Sequence, residues 1–483
     1  LHPSSLPDKF VSEIFLDLQK KTIISQDMHQ SKNKPVYITF ITIVATLGGL
    51  LFGYDTAVIS GAIGFVRDYF DLNATMMGWV ASSALVGCIA GCAVAGYLSD
   101  RFGRKKIMIL SAILFTITGA GCALSESTTG LVIYRIIGGI GVGIASMLSP
   151  IYIAEIAPAH MRGRLVSYNQ FAIVSGMLVV YFVNYFIAAQ GNDSWNLMSG
   201  WRWMFGSESI PALLFLVFLF FIPESPRWLA KNDQIEKSSQ VLSKIGGSEF
   251  AEKELREIRN TEEPESRSFR ALFLGKFRVV LLIGIILAIL QQVTGINVFL
   301  YYAPEIFKKL GTGTNTALLQ TVIVGFFNLT FTIVAIITVD RFGRKPLMMT
   351  GSLGMGLCLL ILGLMAYFQQ PALWVLAFIL GYISCFALSV GPVTWVIISE
   401  IFPTRIRGRA LSIATVFLWS ANWVVSQTFP MLDESQWLTE RFHHGFSFWL
   451  YGLMCFILLV FVRTTVPETK GKSLEEIEKI WTR

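Results

Sequence analysis

Charge is scarce in this chain. Asp, Glu, Lys and Arg make up 15% of its 483 residues, against about a quarter in a soluble domain. Cysteine is scarcer still, and all six (Cys88, Cys92, Cys122, Cys358, Cys385, Cys455) lie in apolar stretches. Cys88 and Cys92 share a helix face, but no His or acidic residue stands near them in sequence, so packing is expected of them rather than metal ligation or a disulfide. No phosphate-binding loop and no nucleophile motif occurs anywhere. That argues against ATP-driven transport by this chain alone and against an enzyme, and no cofactor or metal is expected. Residues 1–34 are polar and lack an apolar core segment, so a cleavable signal peptide is not expected in them. They begin with Leu, and the first Met is Met28; a cytoplasmic amphipathic extension and a gene-start artefact both stay open.

What the chain has is apolar length. Hydrophobic residues make up 53%, and runs long enough to span a bilayer recur. Twelve spans are expected, at roughly 36–60, 77–98, 106–124, 130–153, 165–189, 203–222, 278–302, 316–338, 347–368, 373–397, 410–431 and 446–466. Gly and Pro interrupt the fourth, seventh and tenth. Three phrases occur twice in the same order, about 240–245 residues apart: SDRFGRK at 99–105 and VDRFGRK at 339–345, EIAPAHMRGR at 155–164 and EIFPTRIRGR at 400–409, PESPR at 223–227 and PETKG at 467–471. The halves are therefore parallel repeats, with a site expected where they meet. The reading is an all-α membrane protein of two six-helix bundles: 1–35 a cytoplasmic extension, 36–222 the first bundle, 223–276 a cytoplasmic helical region, 277–466 the second bundle and 467–483 a cytoplasmic tail. The polar segments on the side of the repeated turns hold 32 of the 39 Lys and Arg, while the opposite loops hold Arg67, Arg202, Lys308, Lys309 and Arg441. This bias puts both termini in the cytoplasm and accounts for the net charge of +7 without a nucleic-acid partner. Gly87, Gly91 and Ala95 in the second span, and Gly139 and Gly143 in the fourth, mark faces for close helix packing or for sliding.

Three charges interrupt the apolar runs. Asp55 lies in the first span, Arg135 in the fourth and Glu208 in the sixth, and the second repeat has no ionisable residue at the matching places. A lone charge at membrane depth costs at least about 2.5–3.5 kcal/mol, so such residues persist when paired or functional. An Asp55–Arg135 pair serves a structural role equally well on energetics alone. The repeated turns also admit two readings. Asp100, Arg101, Arg104, Glu155, Arg162, Glu224 and Arg227 in one half, and Asp340, Arg341, Arg344, Glu400, Arg407 and Glu468 in the other, suit headgroup anchoring or an ion-pair gate that closes when the inner ends meet. In the seventh span, Gln291, Gln292, Thr294, Asn297, Tyr301 and Tyr302 cluster about Gly295, which interrupts the helix. Amides and phenols both donate and accept, which suits hydroxyls. Asn328 adds an amide, and Trp395 and Trp419 add flat apolar faces. Interhelical hydrogen bonding is the plainer alternative.

GGLLFGYDTAVISGA, YRIIGGIGVGIASMLSPIYIAEIAP, PESPRWL, QQVTGINVFLYYAPEIF, VDRFGRKPL, GPVTWVIISEIFPTRIRGRA and VPETKGKSLEEIE together resemble the sugar porter family of the major facilitator superfamily, from about residue 36 to the end. The resemblance implies alternating access to a midplane monosaccharide site, in a protein that works as a monomer in the bilayer of the bacterial cytoplasmic membrane. It makes Asp55 the proton acceptor, Arg135 its partner and Glu208 a tuning or relay group. The family's facilitative glucose carriers have an amide in place of that Asp, so the retained carboxylate implies proton symport, with a facilitative uniporter or a nutrient sensor as alternatives. By the same resemblance Gln170, Gln291, Gln292, Asn297, Tyr301, Asn328, Trp395 and Trp419 bind sugar, with Phe52 and Gly391 lining the cavity. Met177 and Leu418 depart from the pattern, standing where glutamines occur in the family, and are candidates for selectivity.

Overall fold

The computed structural model describes residues 8–158, 161–260, 277–309, 311–369, 372–402 and 407–470, with side chains from residue 36 onward except those of 259, 260, 340, 372, 373 and 407. Among the described residues there is helix and no strand. The ordering follows from the apolar runs, because in lipid a backbone must satisfy its own hydrogen bonds. Among the described residues, eleven helices are long and apolar enough to cross a membrane. The first ten are Val36–Phe70, Ala74–Phe102, Arg104–Ala123, Thr128–Ile156, Arg162–Ala188, Asp193–Leu219, Phe277–Tyr301, Thr314–Val339, Arg344–Tyr367 and Trp374–Ile401, and the last is Gly445–Thr465. Between these stands Arg407–Asp433, 27 residues long, the eleventh of twelve spans in order. Asn422, Ser426 and Gln427 make it the least apolar of them.

Helix ends follow local chemistry. Asn73 and Ser127 cap the second and fourth spans, their side chains accepting from the backbone N–H groups of Met76 and Gly130. Gly103 and Gly343 end the second and eighth helices at φ 101° and 90°, a region that favours glycine. The seventh span breaks at Gly295, φ 89°, where the sequence places the interruption. The tenth carries one π turn, Phe386–Val390, before Gly391–Ile401. The fourth is continuous despite Pro150 in its last two turns, so the interruption expected there does not occur. The first helix reaches Phe70, ten residues past the expected boundary. Its last turns carry Arg67 and Asp68 beside aromatic residues, and that polar content hides the continuation from an apolar-run reading.

In the first bundle the second span packs on the fourth, the first on the fifth and the third on the fourth and sixth. In the second, the ninth packs on the twelfth and tenth and the seventh on the eleventh. The bundles meet through the second and eleventh spans, the fifth and eighth, and the first with the far half of the seventh. The small-residue faces of the second and fourth spans meet each other. A Cβ at Gly87 would reach 2.8 Å from the Ile140 nitrogen, and one at Gly91 would reach 3.1 Å from Gly143 Cα. These glycines pack two helices of one bundle and do not form the interface between bundles. The polar region after the sixth span folds as Pro226–Lys231, Ile235–Gly246 and Ser248–Asn260. Residues 261–276 and 471–483, parts of the expected cytoplasmic region and tail, lie outside the described residues.

Candidate functional site

Three helices of the first bundle carry its buried charges to one place. Tyr54 and Ser207, each next to a carboxyl residue in sequence, hydrogen-bond at 2.8 Å and pin the first span to the sixth. Asp55 and Glu208 are fully buried, and each interacts electrostatically with the other and with Arg135. Arg135, also buried, does not spend its donors on them. Its Nε donates to the Val80 carbonyl at 3.0 Å and its Nη2 to the Ala81 carbonyl at 3.2 Å, both on the second span. The guanidinium lies over the Phe205 ring, 5.7 Å from its centre. Its Nη1 has no hydrogen-bond partner among the described residues, while the Asp55 and Glu208 carboxyls have no partner there besides each other and lie close enough to share a hydrogen bond. Buried groups left in that state are costly. The trio is therefore gathered but not locked, and a small change in position or charge redistributes its contacts.

The second bundle supplies a chain of amides. At the break of the seventh span, Gln291 Nε2 donates to the carbonyls of Val390 and Gly391, at 3.3 and 3.1 Å, in the distorted turn of the tenth. Gln292 Nε2 donates to Gln291 Oε1 at 3.3 Å, and Asn297 Nδ2 to Gln292 Oε1 at 2.6 Å. Thr294, at the same break, donates to the Gln291 carbonyl, and Tyr382 of the tenth span donates to the Thr294 carbonyl at 2.9 Å. Two interrupted helices thus hold each other's loose backbone groups through the side chains of the amide cluster. Trp419 of the eleventh span meets Phe52 of the first, ring centres 5.5 Å apart and tilted by 57°, an aromatic contact across the bundles. Asn328 is buried, and Gln170 and Trp395 are part-exposed. Met177 and Leu418 are buried, and the Met177 backbone nitrogen lies against Gly53.

Residues that the sequence reading did not single out join this cluster. Asn422 donates to the Tyr301 hydroxyl at 3.5 Å, Ser426 to Asn422 Oδ1 at 3.0 Å, and Tyr302 to the Ser426 carbonyl at 2.8 Å. Their signal was present: Asn422 lies three residues after Trp419, on the same helix face, in the least apolar span.

The turn-side charges assemble as two separate sets. Arg104 pairs with Asp100 at 2.7 Å and with Glu155 at 3.1 Å, and Glu224 accepts from the backbone nitrogens of Arg104 and Lys105. In the second bundle Arg344 pairs with Glu400 at 3.1 Å, and Glu468 accepts from the nitrogens of Arg344 and Lys345. Each acid caps the start of a helix, where the backbone dipole favours negative charge. Arg162 reaches the Ala157 carbonyl at 3.5 Å and Arg101 the Tyr97 hydroxyl. Arg227 and Arg341 are exposed. The side chains of Asp340 and Arg407 lie outside the described residues. None of the ion pairs in these two sets crosses from one bundle to the other.

Contacts between bundles gather on the opposite face. Gln427 Oε1 accepts from Ser82 at 3.0 Å and its Nε2 donates to the Thr75 carbonyl at 3.0 Å. Tyr181 donates to the Leu300 carbonyl at 2.8 Å.

Residues 41–481 match the family described as sugar (and other) transporter. The chain is 51% identical over 472 residues to the D-xylose-proton symporter of Escherichia coli (strain K12), covering 92% of this chain and 96% of that protein. It is 43% identical over 447 residues to the arabinose-proton symporter of Bacillus subtilis (strain 168), covering 92% and 95%. Among solved structures it is similar to the inward open conformation of the E. coli xylose transporter XylE, with a TM-score of 0.82, 49% identity and coverage of 92% of this chain and all of that one. Similarity of this extent in sequence and in fold means that the chain belongs to the sugar porter family of the major facilitator superfamily.

Proposed function

We propose that this chain imports a monosaccharide, pentose or hexose, together with a proton by alternating access. It does so as a monomer in the bacterial cytoplasmic membrane, with both termini and the repeated basic turns in the cytoplasm. The observation that carries the proton half is the buried trio, one guanidinium and two carboxyls close enough to share a hydrogen bond, which a single proton would make. With one proton aboard the trio is formally neutral; without it the net charge is −1. The two forms offer Arg135 different partners, and that difference biases the orientation of the first bundle. Asp55 is the acceptor in this reading, with Glu208 the second carboxyl that holds or relays the proton. The proton symporters among its relatives support the coupling.

The sugar half rests on the chain Gln291–Gln292–Asn297; in this reading Gln170, Tyr301 and Asn328 add polar contacts to the sugar, and Trp395, Trp419, Phe52 and Gly391 wall the cavity. Amide groups exchange one hydrogen-bond partner for another at little net cost, which suits a ligand made of hydroxyls. The two turn-side ion sets act as an inner gate when the bundle ends meet, and their separation here suits a structure open on that side. Proteoliposome uptake with and without a pH gradient tests the whole reading. Asp55→Asn is expected to lose gradient-driven accumulation while keeping sugar counterflow; undiminished accumulation in that variant would make Asp55 a structural residue.

A further inference from the structure

The sequence reading gives the face opposite the basic turns few cations, and three of them come together. Arg67 lies in the last turn of the first helix. Its Nη1 is 3.4 Å from Glu305 Oε2 and 3.9 Å from Glu434 Oε1. Glu305 lies on the short helix after the seventh span, Glu434 just past the end of the eleventh. Both therefore belong to the second bundle, while Arg67 belongs to the first. Glu305 is a buried acid, its side chain 8% exposed, and it also holds Lys308 at 2.9 Å. Lys309 continues the chain of charges, pairing with Asp433 and lying 3.8 Å from Glu434. With Tyr302 and Phe429 these groups line one small cavity between the bundles. The first helix comes this close because Gly64 has no side chain; a Cβ there would strike the Glu305 carboxyl.

An exposed ion pair contributes little, but this one joins a part-desolvated network. The face cannot open while Arg67 holds Glu305, since the two sit on bodies that must part. We propose that Arg67 is a positioning residue for transport, whose pairing with Glu305 and Glu434 holds the outer mouth shut and whose release is a step of its opening. The proposal rests on the transporter reading above, and its test does not depend on uptake.

Spin labels at Asp71→Cys and Gln436→Cys, both exposed positions on this face, report the width of the mouth by pulsed electron resonance. Cys358 and Cys385, the part-exposed native thiols, are replaced by serine. In detergent and in nanodiscs, Arg67→Ala is expected to raise the long-distance population about threefold, the shift that follows from losing roughly RT of bias. Arg67→Lys, which keeps the charge, is expected to stay within experimental error of the parent. A distance distribution unchanged by Arg67→Ala overturns the proposal. So does equal widening in both variants, which would make the side chain's packing rather than its charge the tie. Absence of sugar uptake by the parent protein would count against the transporter reading, while the response of the distances to Arg67→Ala still decides whether this contact holds the mouth shut.

Discussion

Gln291 shows what a single amide does here. It donates to two carbonyls at the distorted turn of the tenth span and accepts from Gln292. Truncation to Ala leaves those groups unpaired in a buried place, at about 1–3 kcal/mol. Gln291→Ala is therefore expected to weaken binding of every accepted sugar by roughly 5- to 150-fold, measured by titration calorimetry on the purified protein. A variant that binds one sugar normally would take Gln291 out of the common site. Residues of this kind were legible in the sequence because they are foreign to their surroundings: a carboxylate, a guanidinium or a run of amides inside an apolar span carries its own cost and calls for a reason. Arg67 and Glu305 were not legible, since an acid or base near a span end is ordinary and their meeting depends on how two distant helices pack. Nor was the bonding of Arg135 to the Val80 and Ala81 carbonyls, because backbone acceptors leave no mark in a sequence.

At the scale of the helix, Glu224 and Glu468 hold the first N–H groups of the third and ninth spans. Glu468 is held below the usual carboxyl range: burial pushes it up, but N–H donors from Lys470, Lys345 and Arg344 outweigh that. Glu224, at the equivalent cap, is pushed up, because there burial outweighs its backbone donors. The two repeats thus share a cap sequence but not its titration. On the opposite face, His444 lies 3.2 Å from Asp433. The hydrogen bond to Asp433 raises the imidazole above its ordinary value against the effect of burial. A raised folded-state value means that the contribution is complete below the unfolded value, near pH 6.5, and fades as the pH rises through the folded one. The thermal-stability advantage of the parent over His444→Asn is expected to be full near pH 5.5 and to shrink as the pH rises through the raised folded-state value. A difference independent of pH would mean that this histidine acts through packing. The break at Gly295 was visible beforehand, since glycine amid polar residues stands out in an apolar helix. The true end of the first helix was not, because polarity marks where a helix leaves the lipid and not where it stops.

At the scale of the whole molecule, the two faces differ in the side-chain contacts that join the bundles among the described residues. Hydrogen bonds from Gln427 to Ser82 and Thr75, and from Tyr181 to Leu300, join the bundles opposite the basic turns, whereas the turn-side ion pairs stay within their own bundles. Ser82→Cys with Gln427→Cys should fix this arrangement. Oxidation is expected to stop uptake and reductant to restore it, with sugar binding in detergent retained throughout, as measured by transport and equilibrium dialysis. Uptake that continues in the oxidised protein would mean that this contact does not part during the cycle. The repeats made the overall plan readable, because three duplicated phrases in the same order mark two like halves. Which pairs of helices carry the seam between halves was not readable, since the seam is built of side chains that look like ordinary span residues until the halves are assembled. The eleventh span bears on how that assembly is reached. Its Asn422, Ser426 and Gln427 are satisfied by Tyr301, Tyr302, Ser82 and Thr75, all made earlier on the ribosome. A segment this polar gains little by entering lipid alone. Its integration during biogenesis is therefore driven by helices already resident in the bilayer, and the site's chemistry and the order of membrane insertion draw on the same few side chains.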